Sequence, residues 1–476
     1  MITFILSFIA LLLGYLFYSK LVERIFGADP NRETPAYKIK DGVDFVPMKW
    51  GKIFLIQFLN ITGLGPIFGA ILGAVYGPVA FIWIVFGCIF AGAVHDYFSG
   101  MLSLKHNGLS IPEVVGKYLG NGVRQFMRGF TVILMILVGA VFILGPADIL
   151  SGFSIAHMNF LTPTFWAAII IVYYLIATLL PINKIIGRIY PFFGAVLLFM
   201  ALGIIISMFA SGEISRVPEL IPENMVNMKH NASQYPIFPM LFITIACGAI
   251  SGFHATQSPL MARCLKNEKK GRQVFYGAMI TEGMVALIWA AAAMSFFENV
   301  DGLNDILVKR TPAAVVNIIS NSMLGKVGGV LAILGVVAAP ITSGDTAFRS
   351  ARLIVADFMK INQVKISKRL LVSIPLFIAG LILTQIHFNI IWRYFGWANQ
   401  TLATIVLWAI TVYLLQEKKF YWITLIPAAF MTAVITTYIF TVPEGFNLHH
   451  PISVMLGIGV TVILTSAFFY YKRKIK

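Results

Sequence analysis

The apolar segment from Pro236 to Pro259 is long enough to cross a bilayer, but its middle is poorly suited to a continuous helix. Backbone groups left unpaired in hydrocarbon cost several kcal/mol each, so an interruption at membrane depth is tolerated only beside protein or a watery cavity. The segment therefore predicts a broken transmembrane helix that lines a binding cavity. The residues predicted to interrupt it are Gly248, Ser251, Gly252, His254, Thr256, Gln257 and Ser258.

The rest of the chain is also apolar. Of its 476 residues, 58% are hydrophobic and 12% are charged, and the mean hydropathy is +0.84. A soluble core could not bury this much apolar surface, so the composition predicts an all-α polytopic membrane protein. Cys88, Cys247 and Cys264 lie far apart in apolar segments, so we interpret them as packing residues rather than as disulfide or zinc ligands.

Apolar runs of about twenty residues predict about thirteen transmembrane helices. The first run, 1–27, lacks a basic n-region and a cleavage site, so we expect a retained helix rather than a signal peptide. The other predicted spans are 52–75, 79–103, 122–150, 163–181, 188–210, 237–263, 272–297, 325–347, 368–386, 388–416, 420–441 and 450–471.

Basic residues concentrate in alternate loops, which accounts for the formal net charge of +16 without invoking nucleic acid as a partner. By the positive-inside rule, we expect the N-terminus outside and the C-terminus in the cytoplasm, in the inner membrane. The basic loops are 20–52, 105–128, 184–188, 263–272, 349–369, 418–419 and 472–476; those at 213–223 and 298–305 lean acidic, and 151–162 is uncharged.

A second interrupted span lies at 55–73. Each interrupted span precedes four further spans, and by the loop count the two cross the membrane in opposite directions. This pattern predicts an inverted five-plus-five repeat, with the substrate site at the midplane between the broken helices. The alternative is that both glycine clusters are only close-packing faces. The predicted organisation is an extra helix at 1–27, repeats at 52–210 and 237–416, and two C-terminal helices at 420–471.

The polar groups of the two interruptions suit an anionic or zwitterionic substrate, because half-helix N-termini carry partial positive charge and unpaired donors. The alternative is that these groups satisfy one another across the bundle. The predicted substrate contacts are Gly248, Ser251, Gly252, His254, Thr256, Gln257 and Ser258, together with Asn60, Thr62, Gly63 and Gly65 of the first interruption.

Ionisable residues inside the spans are candidates for coupling. His254 would bind a carboxylate or carry a proton, with a structural imidazole as the alternative. His95 and Asp96 are adjacent on a helix and point in different directions, so one would meet substrate or proton and the other an arginine, with a purely structural ion pair as the alternative. Glu282 would relay protons or neutralise a basic group near the inner surface.

Two further clusters are candidates for coupling or gating. Oxygen ligands at Thr342, Ser343 and Asp345 suit Na⁺, although we favour an inner-surface ion pair between Asp345 and Arg349. In the span at 388–416, aromatic residues accompany a cation and amides, a mixture that suits either an outer gate or an interfacial aromatic belt. The gating candidates there are Arg393 and Asn399.

Several motifs are missing from the sequence. It contains no phosphate-binding loop of the form GxxxxGK[ST], no HExxH and no GxSxG in a strand-turn-helix setting. These absences lower the odds of ATP-driven pumping and of hydrolysis, so we expect neither an enzyme nor a resident cofactor or metal.

Seven short motifs are distributed over most of the chain, and they are Gly42–Pro47, Gly63–Gly69, Ala91–Asp96, Ser251–Pro259, Thr342–Thr346, Arg349–Arg352 and Phe395–Gln400. Taken together, these motifs resemble the carbon-starvation protein A (CstA) family. The resemblance implies an inner-membrane transporter of peptides or pyruvate, apparently driven by protons, with a LeuT-like fold of the amino acid, polyamine and organocation superfamily. Many family members are considerably longer.

The sequence therefore predicts a secondary active importer of peptides or small carboxylates such as pyruvate, which works by alternating access. Its partners would be the substrate, H⁺ or Na⁺, and the lipid bilayer. The alternatives are a Na⁺-coupled amino-acid or organic-acid transporter, a channel and a membrane sensor. The exact substrate, the coupling ion and the oligomeric state stay open.

Overall fold

The computed structural model describes residues 1–152, 160–179, 186–363, 365–386 and 388–475. Apart from one isolated bridge between Met48 and Leu265, the regular structure of these residues is helical. Helices suit a chain this apolar because they satisfy their backbone groups internally.

The main helices are α1 (Ile2–Phe26), α2 (Trp50–Thr62), α3 (Gly65–Ala74), α4 (Val79–Lys105), α5 (Asn121–Gly152), α6 (Pro163–Leu179), α7 (Ile186–Ala210), α8 (Ile237–Thr244), α9 (Gly252–Ala262), α10 (Glu268–Phe296), α11 (Val327–Met359), α12 (Ile366–Leu383), α13 (Phe388–Gln416), α14 (Trp422–Thr441) and α15 (His450–Ile475). Shorter helices include Pro35–Lys38, Ile111–Leu119 and Val300–Lys309. Pro312–Leu331 kinks at Gly325, and its residues after the kink form the start of α11.

The helical fold class is confirmed, but the number of spans is not settled. Ten described helices are long and apolar enough to cross a membrane, or eleven if α2 and α3 form one bent span. The count of thirteen stays a prediction. The loop at 151–162, the end of the predicted span 163–181, Lys184 and Lys476 lie partly or wholly outside the described residues.

The first interruption is a sharp bend between α2 and α3. Gly63 joins them with φ +43° and ψ −134°, a conformation that side chains disfavour, and the two axes differ by 53°. Asn60 and Thr62 lie in the last turn of α2, and Gly65 begins α3. The predicted break is therefore present, but it is confined to Gly63 and Leu64.

The second interruption lies earlier than the sequence suggested. The chain leaves regular helix at Ile245 and re-enters it after Ser251, whose backbone is extended. The prediction that the break continues to Ser258 was wrong. The later polar residues fit into α9 because they bond back to its own carbonyls: Thr256 Oγ1 donates to Phe253 O at 2.6 Å, and Ser258 Oγ donates to His254 O at 3.0 Å.

The broken helices form the centre of the molecule. α2 packs against α9, α10 packs against both α2 and α3, and α4 packs along α9. The predicted halves also show matching contacts, because α7 lies against α2 as α13 lies against α9, and α6 meets α12. An added Cβ on Gly65 would lie 2.1 Å from Cys247 Cβ, so the two interruptions are in direct contact.

Several helices contain π-helical turns, which are rare and frequently occur at functional sites. One such stretch in α4 directly precedes His95 and Asp96, and another in α10 precedes Glu282. The π-helical stretches are Gly14–Tyr18, Gly65–Gly69, Trp83–Gly92, Arg272–Tyr276 and Ala332–Val337.

Candidate coupling and substrate site

Four ionisable residues from three helices meet beside the second interruption. His254 Nδ1 on α9 lies 2.9 Å from Asp96 Oδ2 on α4, and His254 Nε2 lies 3.4 Å from Glu282 Oε2 on α10. The other oxygen of Asp96 is 2.8 Å from His95 Nδ1. All four side chains are fully buried. We call these residues the imidazole–carboxylate cluster.

This cluster can hold and pass a proton. Uncompensated charges are costly to bury, so two imidazoles and two carboxylates at these distances must share protons to stay near neutral. His254 Nε2 and both Glu282 oxygens have no hydrogen-bond partner within the described part of the chain. These atoms are therefore able to accept or donate a proton. Asp96 pairs with two histidines, so the expectation that His95 or Asp96 would meet an arginine was wrong.

The start of α9 is held by Asn399 of α13. Its Oδ1 accepts a hydrogen bond from the Phe253 amide at 2.6 Å, and its Nδ2 donates to Ser251 Oγ at 3.0 Å. The first amides of a helix lack partners within the helix, so this side chain caps α9 from another element. Asn399, predicted as a gating residue, thus belongs to the interruption itself.

Among the polar residues around the first interruption, Gln57 joins the two broken helices. Gln57 Nε2 on α2 donates to Ser258 Oγ on α9 at 3.3 Å. Thr62 Oγ1 donates to Phe58 O at 2.6 Å and so remains within its helix. Asn60 is fully buried, and neither atom of its amide has a hydrogen-bond partner among the described residues. Its amide is therefore the polar group there best placed to receive a ligand.

The cavity between the interruptions is small. It is lined by residues of both breaks and of α13, and its volume of about 10 Å³ has room for roughly one water. A peptide or organic acid would need the broken helices to separate, so the structure is closed around this point. The lining residues are Gly65, Ile243, Thr244, Ala246, Cys247, Trp392, Phe395 and Gly396.

Cys247 is a site residue that the sequence analysis missed. Its Sγ, His254 and Glu282 bring potential ligand atoms within 4.8 Å of one another, a donor set that can bind a soft divalent metal. Cys247 Sγ is also 3.8 Å from Asn399 Nδ2. The expectation that it only packs was incomplete. The lack of a CxxC spacing had concealed it, because its neighbours come from other parts of the chain.

A separate polar stripe follows the buried face of α11. Ser343 Oγ donates to Leu59 O at 3.1 Å, and Asp345 accepts a hydrogen bond from Tyr190 at 2.7 Å. Further along, Arg349 Nη1 lies 3.7 Å from Asp44 Oδ1. The expected inner-surface ion pair of Asp345 with Arg349 was wrong: Asp345 bonds to Tyr190, Arg349 pairs with Asp44, and both side chains are buried in the core.

Three other residues are Arg393, which was predicted as a gating residue, and Tyr190 and Asp44, which were not predicted as site residues. Arg393 is 46% exposed, and its partner is Glu444. Tyr190 was missed because a tyrosine in an apolar span looks like an interfacial residue. Asp44 entered the sequence analysis only through the motif Gly42–Pro47.

Solved structures share this fold. MhsT in complex with L-phenylalanine matches with a TM-score of 0.56 at 11% identity, over 87% of this chain and 98% of that chain. A Na⁺-coupled sialic acid symporter in a substrate-bound, outward-open state matches with a TM-score of 0.53 at 14% identity, over 96% of each chain. The class is thus that of multi-spanning helical membrane proteins with the LeuT-like fold. Within that class, the chain belongs to the carbon starvation protein CstA family, whose model matches residues 1–151, 147–327 and 311–438.

Relatives support the same assignment. An uncharacterized membrane protein of Haemophilus influenzae is 46% identical over 349 residues, which cover 64% of this chain and 94% of that protein. The peptide transporter CstA of Campylobacter jejuni is 31% identical over 58% of this chain. The pyruvate/proton symporter BtsT of Escherichia coli is 29% identical over 59% of it. The matched region spans about half of each of these two named relatives, 47% in both cases.

Proposed function

We propose that this chain imports a small carboxylate or peptide across the cytoplasmic (inner) membrane, driven by protons. The observation that carries the proposal is the imidazole–carboxylate cluster, in which His254 of the broken helix lies between Asp96 and Glu282. A buried cluster of this kind gains or loses protons only with a change in its surroundings, so its protonation is coupled to movement of the helices that carry it.

In the proposed cycle, protonation of the cluster weakens its hold on α9 and lets the two interruptions part. The substrate then enters between them, where the free amide of Asn60 and the backbone around Gly63 and Gly248 offer hydrogen bonds. A substrate carboxylate would lie near the start of α9, because that helix end supplies unpaired donors and a partial positive charge. Ser251 and Asn399, which now hold this end, would reorient toward the substrate.

The proposed moving parts are the predicted repeats, 52–210 and 237–416. Rocking of one against the other would expose the midplane site alternately to each side. The proposed orientation has the N-terminus outside and the C-terminus in the cytoplasm, as the basic loops suggest. In that arrangement, the Asp44–Arg349 pair lies toward the cytoplasm and would close the inner end of the pathway.

The test is uptake into proteoliposomes that contain the purified chain. Labelled pyruvate and a labelled dipeptide are offered in turn, with an imposed pH gradient, a Na⁺ gradient or neither. We expect the pH gradient to drive accumulation of one of the two, and His254→Ala to abolish it while the protein is still made and inserted. The matched control is His449→Ala, at an exposed loop position.

Wild-type uptake by His254→Ala would refute the assigned role of the cluster. Uptake that neither saturates nor shows counterflow would indicate a channel. Because removing one partner from a buried charged cluster can destabilise a protein by about 3–5 kcal/mol, the melting temperature of each variant is measured alongside.

A second candidate is coupling to Na⁺. It is favoured by the contact between Ser343 Oγ and Leu59 O, which brings a hydroxyl of α11 and a carbonyl of α2 to 3.1 Å beside the first interruption. Oxygen ligands from two helices suit a hard cation. Accumulation driven by the Na⁺ gradient and lost in Ser343→Ala would favour this alternative over protons.

A further inference from the structure

Arg352 on α11 is buried without a hydrogen-bond partner. Its side chain is 1% exposed, and none of its three guanidinium nitrogens is hydrogen-bonded within the described parts of the chain. A guanidinium group stays protonated in proteins, so it cannot neutralise itself as a buried lysine can. Burying such an ion costs several kcal/mol unless a counter-charge accepts its hydrogen bonds.

The surroundings of Arg352 do not supply that counter-charge. Two other buried arginines, Arg349 and Arg369, act on it together with Asp44 and Asp345. Asp44 and Asp345 act on Arg349 as well as on Arg352, and neither carboxylate accepts a hydrogen bond from Arg352. Each carboxylate also faces another group, since Asp44 lies 3.7 Å from Arg349 and Asp345 accepts from Tyr190.

Arg352 lies on the same face of α11 as the other charged residues of the polar stripe. Asp345, Arg349 and Arg352 follow one another at four and three residues, so they lie along one face of α11. The stripe runs from the first interruption, where Ser343 meets Leu59, to the end of the helix that the basic loops place in the cytoplasm. Arg352 is the outermost of the three and lies beyond the Asp44–Arg349 pair.

We propose that Arg352 is the binding site for an oxyanion, a carboxylate or a phosphate, that enters from the inner side when the helices around Arg352 separate. The planar fork of a guanidinium matches two oxygens of either anion, and charge-assisted hydrogen bonds of this kind are among the strongest available. The anion would be either a transported carboxylate on its way to the cytoplasm or a separate cytoplasmic anion, and both share the same chemistry.

The test measures binding by the purified full-length chain in detergent, without any gradient. Its result therefore does not depend on whether transport is driven by protons. Pyruvate and inorganic phosphate are titrated separately at constant ionic strength against chloride, with the melting temperature and the heat of binding as readouts. We expect wild type to show a saturable component that Arg352→Met weakens at least tenfold and Arg352→Lys weakens less. The control is Arg263→Met, because Arg263 is also buried but donates to Gly108 O at 2.9 Å.

A comparison without added oxyanion provides a second readout. Replacing an uncompensated buried ion with an apolar side chain of similar length should not destabilise the protein, so Arg352→Met should melt at or above wild type in chloride alone. Saturating oxyanion should reverse that order, because only wild type gains from binding. This measurement needs no transport and separates a missing counter-ion from a general packing defect.

Binding of pyruvate and binding of phosphate indicate different kinds of anion site. A component specific to pyruvate supports a release site for the transported carboxylate, whereas one that phosphate also occupies supports a separate anion site. The proposal is overturned if wild type binds neither anion saturably, if Arg352→Met binds as tightly as wild type, or if Arg352→Met melts below wild type in chloride alone.

Discussion

Adding one methyl group at Gly65 should disrupt the contact between the two interruptions. In Gly65→Ala, the new Cβ would lie 2.1 Å from Cys247 Cβ and 2.3 Å from its Sγ, well inside van der Waals contact. The clash involves the start of a side chain and not its flexible end, so one of the two interruptions must shift to relieve it.

The size of the effect follows from overpacking. Forcing an extra carbon into a packed core costs about 1–3 kcal/mol. Because the clash exists only while the two interruptions touch, that free energy falls on the closed conformation and changes its population by about 5- to 150-fold. Uptake of the transported substrate should drop by a comparable factor, and the melting temperature should fall.

The assay pairs the single variant with a compensating one. Replacing Cys247 with Gly removes both clashing atoms and leaves the Cys247 Cα 3.5 Å from the new methyl group, which is an ordinary contact. Uptake and melting temperature of the double variant Gly65→Ala/Cys247→Gly should therefore recover toward wild type. Gly51→Ala on α2 is the matched control, since no atom lies within 4 Å of its added Cβ and alanine favours a helix by about 1 kcal/mol.

Two results would refute this reasoning. If Gly65→Ala transports and melts like wild type, the interruptions do not touch in the functional protein. If Cys247→Gly gives no recovery, the damage in Gly65→Ala arises from something other than this contact.

Three further predictions test the parts around the site. Asp96→Asn should remove accumulation driven by a pH gradient but retain counterflow exchange, because the cluster loses a proton acceptor while the substrate contacts remain. Accumulation driven by the pH gradient at the wild-type level would contradict this prediction. Asp44→Asn should open the inner end of the pathway and speed maleimide labelling of Cys264, whose buried Sγ lies 3.8 Å from the Asp44 carbonyl. The labelling is measured in a protein in which the other two cysteines are replaced by serine. An unchanged labelling rate would exclude the Asp44–Arg349 gate. Burial, followed by nearby lysines, lowers the pKa of His106 from 6.5 to about 4. Unfolding therefore takes up a proton, so the free energy of unfolding should fall as the pH drops from 6.5 toward 4. An equally steep dependence of the melting temperature on pH in His106→Phe would argue against this prediction.

The fold was largely predictable because the physics of a membrane span is local. Apolar runs of bilayer length and glycine-rich interruptions can be read from the chain one segment at a time. The position of the second interruption was harder to predict. His254, Thr256 and Ser258 look like helix breakers in the sequence, but Thr256 and Ser258 bond back to carbonyls of α9 itself, and His254 finds a tertiary partner in Asp96.

The site was predictable residue by residue but not as an arrangement. His95, Asp96, His254 and Glu282 were each candidates because an ionisable group inside a span is expensive. That they form one cluster depends on how α4, α9 and α10 pack, and one sequence does not contain this information. Arg352 was seen only as part of a motif, since a cation near a basic loop looks like any other inner-surface charge.

The π-helical stretches give the cluster a way to rotate. Each π-helical turn holds surplus backbone, so tightening one by a single residue into α geometry would twist the rest of its helix by about 100°. Trp83–Gly92 lies just ahead of Asp96, and Arg272–Tyr276 lies just ahead of Glu282. Such a rotation in either stretch would move that carboxylate away from His254 while its helix stays helical.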